Sequence, residues 1–399
     1  MSEIVVAAET ETAVDVAIIG AGAAGATAAG MLAKRGISVA LIASHHRHPP
    51  EYRAEKIGEA QIAMIDEAGL GAAARSVFTA FDGCWLRRFG HIVERDPKRE
   101  YGGDYGAVVD AMRGALPAGV AQIVGRVETI ETGPDQQFLR LADGRSVRSR
   151  LLVMSTGLSE AALKKAGMSR DVYSRHHSLT AGFDLSRPPS DFPFPSLVWA
   201  GDGPSDKLAY LTLFPIGNAM RANLFVYRSP FEDWTRELRD DPNRTLNEMM
   251  PAFRREYGEL AVSGPVMIRP IDLARTLDIE RDGVVAVGDA FMTVCPITGT
   301  GMDKALNDAV ILARDHIPEW LKTPGMSAAK LASFYADPAK RARDANAEKI
   351  SVESRSIRFD QSPRWRLRRL RSTLFGRFRH LLPHGHAHAG GEPHMRSSA

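Results

Sequence analysis

Three glycines near the amino terminus have a spacing that suits the binding of a pyrophosphate. They belong to GAGAAG at 20–25, and their pattern is G-x-G-x-x-G. In such a pattern the first Gly permits a tight turn, the second lets the backbone approach the phosphates and the third lets a helix pack on a strand. A helix that begins here also directs free N–H groups and a positive dipole end at the anion. The residues predicted to cradle a dinucleotide are Gly20, Gly22, Ala23, Ala24 and Gly25.

The elements around this loop are typical of a βαβ unit. VDVAIIG at 14–20 suits a buried parallel strand, a helical stretch then ends near Lys34-Arg35-Gly36, and ISVALIA at 37–43 suits a second buried strand. The acidic residue that usually binds the adenosine ribose would fall at Ala43. Ser44, His45 or Arg47 can contact the adenosine instead, or all three are solvated. The loop therefore does not decide between FAD and NAD.

The middle of the chain predicts a second, sheet-based domain. Helices are expected between 52 and 78, and a hairpin turns at Asp143-Gly144 and returns in a buried strand that ends at 157. Successive antiparallel strands are expected over 175–228 and helices over 231–258, before the chain returns to an apolar strand at GVVAVGDA. We expect an α/β fold with a Rossmann-like dinucleotide-binding domain, an inserted β-sheet substrate domain and a C-terminal helical region. The predicted divisions are 1–13 (tail), 14–174 and 263–350 (dinucleotide-binding domain), 175–262 (substrate domain) and 351–399 (basic helix and His-rich tail).

Composition limits the function classes. The chain has 399 residues, 44% hydrophobic and 25% charged, which is ordinary for a globular protein. Its two cysteines form no disulfide framework or zinc motif, and the acidic amino terminus does not resemble a signal peptide, so we expect a cytoplasmic protein without a metal. Ten Arg against three acidic residues give 351–399 a charge of +7, which leaves −4 of the total of +3 on 1–350. A nucleic-acid partner is therefore not expected.

A second glycine- and proline-rich segment, GDAFMTVCPITGTGMDKALNDA at 288–309, follows the apolar run at 284–287. It resembles the G-D-A-x-x-x-x-x-P-x-x-G-x-G-x-x-x-A-x-x-D-A segment of the flavoprotein monooxygenases with the para-hydroxybenzoate hydroxylase fold. YRAEKIGEAQIAMIDEAGL at 52–70 is similar to the segment of these proteins in which an Arg, here Arg53, reaches the FAD. The positions that match the G-D-A segment are Gly288, Asp289, Ala290, Pro296, Gly299, Gly301, Ala305, Asp308 and Ala309.

The resemblance implies that FAD is the cofactor, so that the Rossmann-like domain over 14–174 and 263–350 is an FAD-binding domain, and that the two loops bind opposite ends of FAD. Asp289 would accept hydrogen bonds from the ribityl chain, and the turn from Pro296 would direct N–H groups at N1 and O2 of the isoalloxazine. Negative charge develops there on reduction, so a helix start and convergent donors stabilise it. The backbone groups expected in this role belong to Gly299, Thr300, Gly301 and Met302.

The activity implied is hydroxylation of a small aromatic or lipophilic substrate by O2 through a flavin C4a-hydroperoxide. Tyr210, on a strand of the inserted sheet, and His176 are weak candidates for catalytic residues, and core or exposed positions are the plainer interpretations. Phe291 and Met292 replace a His that commonly follows G-D-A, and packing is expected of both. The usual D-G motif is replaced by Ser155-Thr156-Gly157, so NADH or NADPH would reduce the flavin either directly or through a separate flavin reductase.

Three alternatives remain open. KIGEA and REYGGDYGAVVDAMRGAL are similar to the flavin-dependent halogenases, but the W-x-W-x-I-P signature is absent and no lysine among Lys56, Lys164, Lys165 and Lys304 is assigned as the halogenating residue. A dehydrogenase or reductase of the isoprenoid reductase type is the second alternative. The third is a non-catalytic flavin-bound protein associated with a membrane or a partner.

The segment 363–382 interleaves arginines with apolar residues at helical spacing. Such a helix suits peripheral contact with an anionic membrane, or docking on this protein or a partner. The last segment contains His384, His386, His388 and His394, for which adventitious metal binding or a functionless tail is expected.

Overall fold

The computed structural model describes residues 11–52, 54–201 and 207–378, which form two β-sheets with helices around them. The strands are β1 (Glu11–Ile19), β2 (Val39–Ala43), β3 (Lys56–Gly58), β4 (Thr79–Arg88), β5 (His91–Gly102), β6 (Val120–Val124), β7 (Val127–Glu131), β8 (Gln137–Leu141), β9 (Ser146–Met154), β10 (Ser169–Leu185), β11 (Leu197–Ala200), β12 (Leu208–Ile216), β13 (Ala219–Val226), β14 (Val262–Leu277) and β15 (Val284–Ala286). The helices are α1 (Ala23–Ala33), α2 (Glu59–Glu67), α3 (Gly71–Arg75), α4 (Tyr105–Gly114), α5 (Glu160–Lys165), α6 (Asp233–Asp240), α7 (Pro242–Met249), α8 (Pro251–Tyr257), α9 (Gly301–Ile311), α10 (Ile317–Leu321), α11 (Ala328–Ala336), α12 (Pro338–Phe359) and α13 (Pro363–Phe378).

The first sheet is the predicted nucleotide-binding sheet. Its order is β6-β2-β1-β9-β8-β7, and β15 also pairs with β9. Strands β6, β2, β1, β9 and β15 are parallel, so their carboxyl ends meet at one edge of the sheet. Successive residues of β1 alternate between two apolar clusters: Val16 and Ile18 pack with α1, α4 and α9, whereas Ala17 and Ile19 pack on the other face. Burial on both faces explains why this strand is almost continuously apolar.

The second sheet lies beside the first and has the order β14-β10-β13-β12-β11-β4-β5-β3. Neighbours in this sheet are antiparallel except β11 and β4. One face, with Leu211, Leu213, Ala222 and Leu224, packs under α6, α7 and α8. The other face carries Tyr210, Thr212, Phe214, Arg221, Asn223 and Phe225, and we call it the inner face.

Several predicted elements are confirmed. The hairpin β8–β9 turns at Gly144, whose φ is +88°, and helices occupy 233–257. The strands predicted within 175–228 are β10 to β13, although β10 pairs with β13 and β14 rather than with β11.

The prediction of helices throughout 52–78 was wrong in part. α2 and α3 are helical, but Lys56–Gly58 is a strand that pairs with β5. Tertiary pairing decides the structure of so short a segment, against its helical pattern. The second sheet thus includes β3, β4 and β5, which lie within the part assigned to the FAD-binding domain, and β10 and β14 extend to 169 and 277. The division at 174 and 263 stays a prediction.

At the carboxyl end, α12 packs against α9, α11 and the 3₁₀ turn at Pro296–Thr298, and α13 follows it. Within the described ranges, no helix is both long and apolar enough to cross a membrane. Arg53, residues 379–382 of the basic segment and the four tail histidines lie outside the described residues.

Candidate functional site

Three loops meet at the carboxyl edge of the first sheet. The first loop (20–25) follows β1, the middle loop (155–157) follows β9 and the late loop (288–301) follows β15. Because β9 pairs with both β1 and β15, the middle loop lies between the other two. Ser155 Oγ donates to the Gly20 carbonyl at 2.5 Å, which joins the middle loop to the first. The fold thus brings together the two motifs that lie more than 260 residues apart in the sequence.

The first loop requires glycine at the predicted positions. Gly20 has φ +104°, and a Cβ there would lie 2.3 Å from the Ser155 carbonyl oxygen. A Cβ on Gly25 would lie 2.0 Å from the Gly20 oxygen, so α1 can pack on the loop only without a side chain. Gly22 is the N-cap of α1 and no acidic residue stands in the first turn, where the Ala23 N–H donates to the Tyr105 hydroxyl at 3.3 Å. The first turn of α1, which contains Ala23, Ala24 and Gly25, therefore suits a pyrophosphate.

The late loop ends in an open turn before a helix. Pro296–Thr298 forms a 3₁₀ turn, and Gly299 follows with φ +69°. A Cβ on Gly299 would meet nothing within 4 Å, and no side chain caps α9 at Thr300. Gly301 and Met302 begin α9, which packs against α1 in the same apolar cluster. The N-terminal turns of α1 and α9 therefore lie on the same side of the sheet, and the turn at 299–302 suits an electron-rich ring edge.

A buried ionic cluster fixes the start of the late loop. The Gly288 N–H donates to Asp308 Oδ2 at 2.8 Å, and Lys304 Nζ donates to the Gly288 carbonyl at 3.1 Å. Lys340 Nζ lies 3.0 Å from both Asp308 Oδ1 and Asp344 Oδ2. Burial opposes ionisation of Asp308, but the charges of Lys304 and Lys340 outweigh it and lower the pKa of this carboxyl. Asp308 and the two lysines hold Gly288 and hence Asp289 in place.

Phe291 and Met292 are both buried in the apolar cluster under the first sheet. The Phe291 ring lies 5.3 Å from the Tyr335 ring and under Lys340 Nζ, which is 4.1 Å from its centre. Neither residue carries an acid or base group. These positions explain the apolar residues that follow G-D-A.

The inner face of the second sheet meets the late loop through Tyr210. Its hydroxyl donates to the Ile297 carbonyl at 2.8 Å, and its ring lies 4.6 Å from that of Phe225. Burial raises the pKa of Tyr210, so the hydroxyl stays protonated and binds the turn. Two residues further along these strands, about 7 Å away, are Thr212 and Asn223. The wall opposite the late loop thus has an aromatic part and a polar part.

A buried carboxylate network adjoins the polar part of this wall. Glu55 is 1% exposed and pairs with Arg221, which also donates from Nε to Asp184 Oδ1 at 2.7 Å. Asn223 Nδ2 donates to Glu55 Oε2 at 3.3 Å, and the Tyr52 ring lies under the Arg221 guanidinium at 4.2 Å. Burial raises the pKa of Glu55 to about 7, against the effect of Arg221. The sequence does not predict this network, because its members lie on β10, on β13 and in the segment before β3.

The other predicted catalytic candidate, His176, lies away from these contacts. It is half-buried, its Nδ1 is 3.6 Å from Asp272 Oδ1 and its ring packs edge-on against Phe231 at 5.3 Å. His177 is buried, as the opposite orientation of neighbouring strand residues predicts. Its ring lies within hydrogen-bond distance of Ser174 and the Ser351 carbonyl.

The candidate lysines have structural contacts. Lys56 Nζ is 2.7 Å from Glu100, and Lys165 Nζ donates to the Val127 carbonyl. Lys304 belongs to the buried ionic cluster, and Lys164 is exposed beside Glu160. None of these contacts places a free ammonium group against the inner face.

A cavity of about 630 Å³ lies beyond the end of β2, between α4 and β6. Its lining includes His46, Arg47, Asp110, Arg113 and Gln122. Arg47 therefore faces a space into which the adenosine of a dinucleotide can extend, whereas the side chains of Ser44 and His45 contact each other at 2.8 Å. The described residues contain no cluster suited to a metal ion.

Comparisons with known proteins agree with this geometry. Residues 13–83 match the family model "FAD binding domain", and residues 258–348 match "Squalene epoxidase". The chain is 22% identical over 351 residues to 3-demethoxyubiquinol 3-hydroxylase of Escherichia coli (strain K12), covering 79% of this chain and 84% of that protein. It is 26% identical over 321 residues to 3-amino-4-hydroxybenzoate 2-monooxygenase PtmB3 of Streptomyces platensis, covering 75% and 78%.

Among solved structures, p-nitrophenol 4-monooxygenase PnpA from Pseudomonas putida DLL-E4 superposes with a TM-score of 0.71 at 16% identity, covering 92% of this chain and 94% of that one. This likeness establishes the fold. The residues that match the FAD-binding model include the first loop, and the residues that match the second model include the late loop. The chain is therefore an FAD-dependent oxidoreductase whose fold is that of the FAD-dependent monooxygenases to which it is similar.

Proposed function

We propose that the protein hydroxylates a small aromatic or lipophilic molecule that binds between the late loop and the inner face of the second sheet. The observation that carries this proposal is the contact between Tyr210 on the inner face and Ile297 in the late loop. It sets an aromatic and polar wall opposite the turn that suits the isoalloxazine. FAD, when bound, would supply the activation of O2 there.

The residues of the chain would bind and orient the reactants. The N-terminal turn of α1 would hold the pyrophosphate, Asp289 the ribityl hydroxyls and the backbone at 299–302 the pyrimidine edge of the flavin. Tyr210 and Phe225 would cover one side of the substrate and exclude water from it. The amide of Asn223 and the hydroxyl of Thr212 would orient a polar substituent of the substrate about 7 Å further along the wall.

Oxygen incorporation tests this function directly. Purified protein that contains FAD would be reduced and exposed to ¹⁸O₂ with a metabolite extract, and products would be identified by mass. We expect a product with one ¹⁸O atom, and oxygen uptake that increases with the substrate. A product with a halogen, made when bromide or chloride is present, would instead assign the protein to the halogenases. Anaerobic turnover with an electron acceptor, without oxygen incorporation, would assign it to the reductases.

The source of electrons is a separate proposal. The middle loop has Thr156 where an aspartate is usual in this fold, so we propose that NADH or NADPH reduces the flavin either directly or through a separate flavin reductase. The rate of flavin bleaching by each nucleotide, with and without an added reductase, distinguishes the two routes. Fast bleaching without the reductase would exclude the two-component arrangement.

We also propose peripheral contact of α13 with an anionic membrane. Trp365 is buried and Arg368 pairs with Glu353 at 3.3 Å, so one side of the helix docks on the protein. Leu367 and Leu370 are 52% and 56% exposed, and the helix contains six arginines and no acidic residue. An apolar stripe flanked by cations suits an anionic lipid surface, from which a lipophilic substrate would enter.

Vesicle sedimentation tests this contact. We expect binding to vesicles that contain phosphatidylglycerol, weak binding to phosphatidylcholine alone, and loss of binding in the double variant Leu367→Glu/Leu370→Glu. The exposed substitution Phe231→Glu, on another surface, is the control. Equal binding of the double variant and the wild type would contradict the proposal.

A further inference from the structure

Arg170, near the start of β10, connects the middle loop to the late loop. Its Nη2 donates to the Gly157 carbonyl at 2.9 Å and to the Asp289 carbonyl at 2.5 Å. Burial lowers the pKa of Arg170 and the nearby carboxylate of Asp289 raises it, so the guanidinium lies close to the side chain as well as the backbone of Asp289. An arginine stays charged even when partly buried, and both hydrogen bonds are charge-assisted.

These contacts complete a path across all three loops. Ser155 Oγ binds the Gly20 carbonyl, Gly157 follows two residues later with φ +59°, and Arg170 joins Gly157 to Asp289. Backbone hydrogen bonds continue one residue beyond these strands, from the Ser155 N–H to the Ile19 carbonyl and from the Val287 N–H to the Met154 carbonyl. Further along, a direct contact between the middle and late loops requires a side chain. Arg170 supplies such a contact.

Two polar atoms at this position have no partner among the described residues. They are Arg170 Nε and Thr156 Oγ1, and both are inaccessible to solvent. Thr156 is the neighbour of Gly157, whose carbonyl Arg170 binds. Because an unpaired buried donor costs free energy, a ligand that accepts hydrogen bonds would stabilise both atoms. The phosphate and hydroxyl oxygens of a dinucleotide are acceptors of this kind.

We propose that Arg170 is a cofactor-positioning residue that sets the spacing of the middle and late loops around FAD. This inference rests on the proposed assignment of the first and late loops to FAD. Arg170 acts through the Gly157 and Asp289 carbonyls, and the sequence gives no sign of it because it lies 13 residues after one and 119 before the other. Arg170 holds the backbone of Asp289 from one side, while the ionic cluster at Gly288 holds the turn from the other.

The affinity of the full-length apoprotein for FAD tests the proposal. Loss of two charge-assisted hydrogen bonds in Arg170→Met is expected to raise the Kd for FAD on the order of 10- to 100-fold. Arg170→Lys keeps the charge without the guanidinium fork and is expected to give an intermediate Kd. Added guanidinium ion, at concentrations too low to denature the protein, is expected to restore part of the affinity lost in Arg170→Ala.

Arg281→Met is the matched control. Arg281 also donates to a backbone carbonyl, that of Gly167 at 3.1 Å, and its Nε is likewise unpartnered among the described residues, but it joins no loop of the site. Its variant is expected to change the Kd less than threefold. Equal Kd values for the two Met variants, or lower stability of the apoprotein in Arg170→Met with an unchanged Kd, would overturn the proposal while the assignment of FAD stands. Failure of the wild-type protein to bind FAD would overturn both.

Discussion

Asp308→Asn tests whether the ionic cluster beneath the late loop holds the site. Asp308 is buried, and its two oxygens contact Lys304, Lys340 and the Gly288 N–H. The amide of Asn can still accept from Gly288, but it leaves the Lys340 ammonium with Asp344 as its remaining carboxylate. Removal of one partner from a buried ion pair costs about 3–5 kcal/mol, and the remaining Asp344 places this variant near the lower value. That is a large fraction of the usual stability of a folded protein.

The assay is urea unfolding followed by tryptophan fluorescence, together with the Kd for FAD. The control is Asp66→Asn, which breaks an exposed pair with Arg75 and is expected to cost less than about 1 kcal/mol. Because the pKa of Asp308 is lowered in the folded protein, its contribution is present at neutral pH and is lost as the pH falls through that depressed value. A loss in Asp308→Asn no greater than in Asp66→Asn, with an unchanged Kd for FAD, would refute the reasoning.

Three further predictions concern the loops and the inner face. Gly25→Ala is expected to abolish tight FAD binding, because the added Cβ would overlap the Gly20 carbonyl. The control Gly114→Ala, whose Cβ meets nothing within 4 Å, is expected to bind FAD normally. Equal FAD content in the two variants would contradict this prediction. In the wild type, the raised pKa of Glu55 means that the folded protein binds this proton more tightly than the unfolded chain, so the free energy of unfolding is expected to fall by about 3 kcal/mol as the pH rises through 7. Glu55→Gln is expected to remove this fall. Parallel pH profiles of the unfolding free energy for variant and wild type would disprove it. Tyr210→Phe removes the hydrogen bond to Ile297 and is expected to lower the free energy of unfolding by about 1 kcal/mol. FAD binding, measured by fluorescence titration, is expected to weaken by about fivefold or less. A loss of all activity with normal FAD binding would indicate instead a direct role of Tyr210 in the reaction.

Local sequence patterns predicted the parts of the fold that depend on local physics. The tight turn between the strand and the helix around 20–25 needs glycine for steric reasons, so the sequence motif predicts this local structure. The G-D-A segment likewise marks the late loop, and pairing of β1 and β15 with the same strand explains why the two motifs meet. The hairpin at Asp143-Gly144 is legible because Gly adopts positive φ without strain.

Contacts between distant segments were not predictable in the same way. Lys56–Gly58 follows a helical pattern, but β5 recruits it as an edge strand of the second sheet. Glu55 lies more than 160 residues before Arg221 and Asn223, and no periodicity indicates that the three share one buried network. Arg170 and Lys340 act on backbone carbonyls and carboxylates of other elements, so only tertiary structure identifies them. Tyr210 was predicted as a weak catalytic candidate, and its contact with the late loop indicates a role in holding that turn.

The central claim is that FAD binds with its pyrophosphate at the first loop and its isoalloxazine at the late loop. The most direct test is a crystal structure of the protein with FAD. We expect the pyrophosphate at the N-terminal turn of α1 and the ribityl chain beside Asp289. The pyrimidine edge of the isoalloxazine is expected at Gly299–Met302, with the ring facing Tyr210 and Phe225. An isoalloxazine bound elsewhere, such as in the cavity lined by His46 and Arg113, would contradict it.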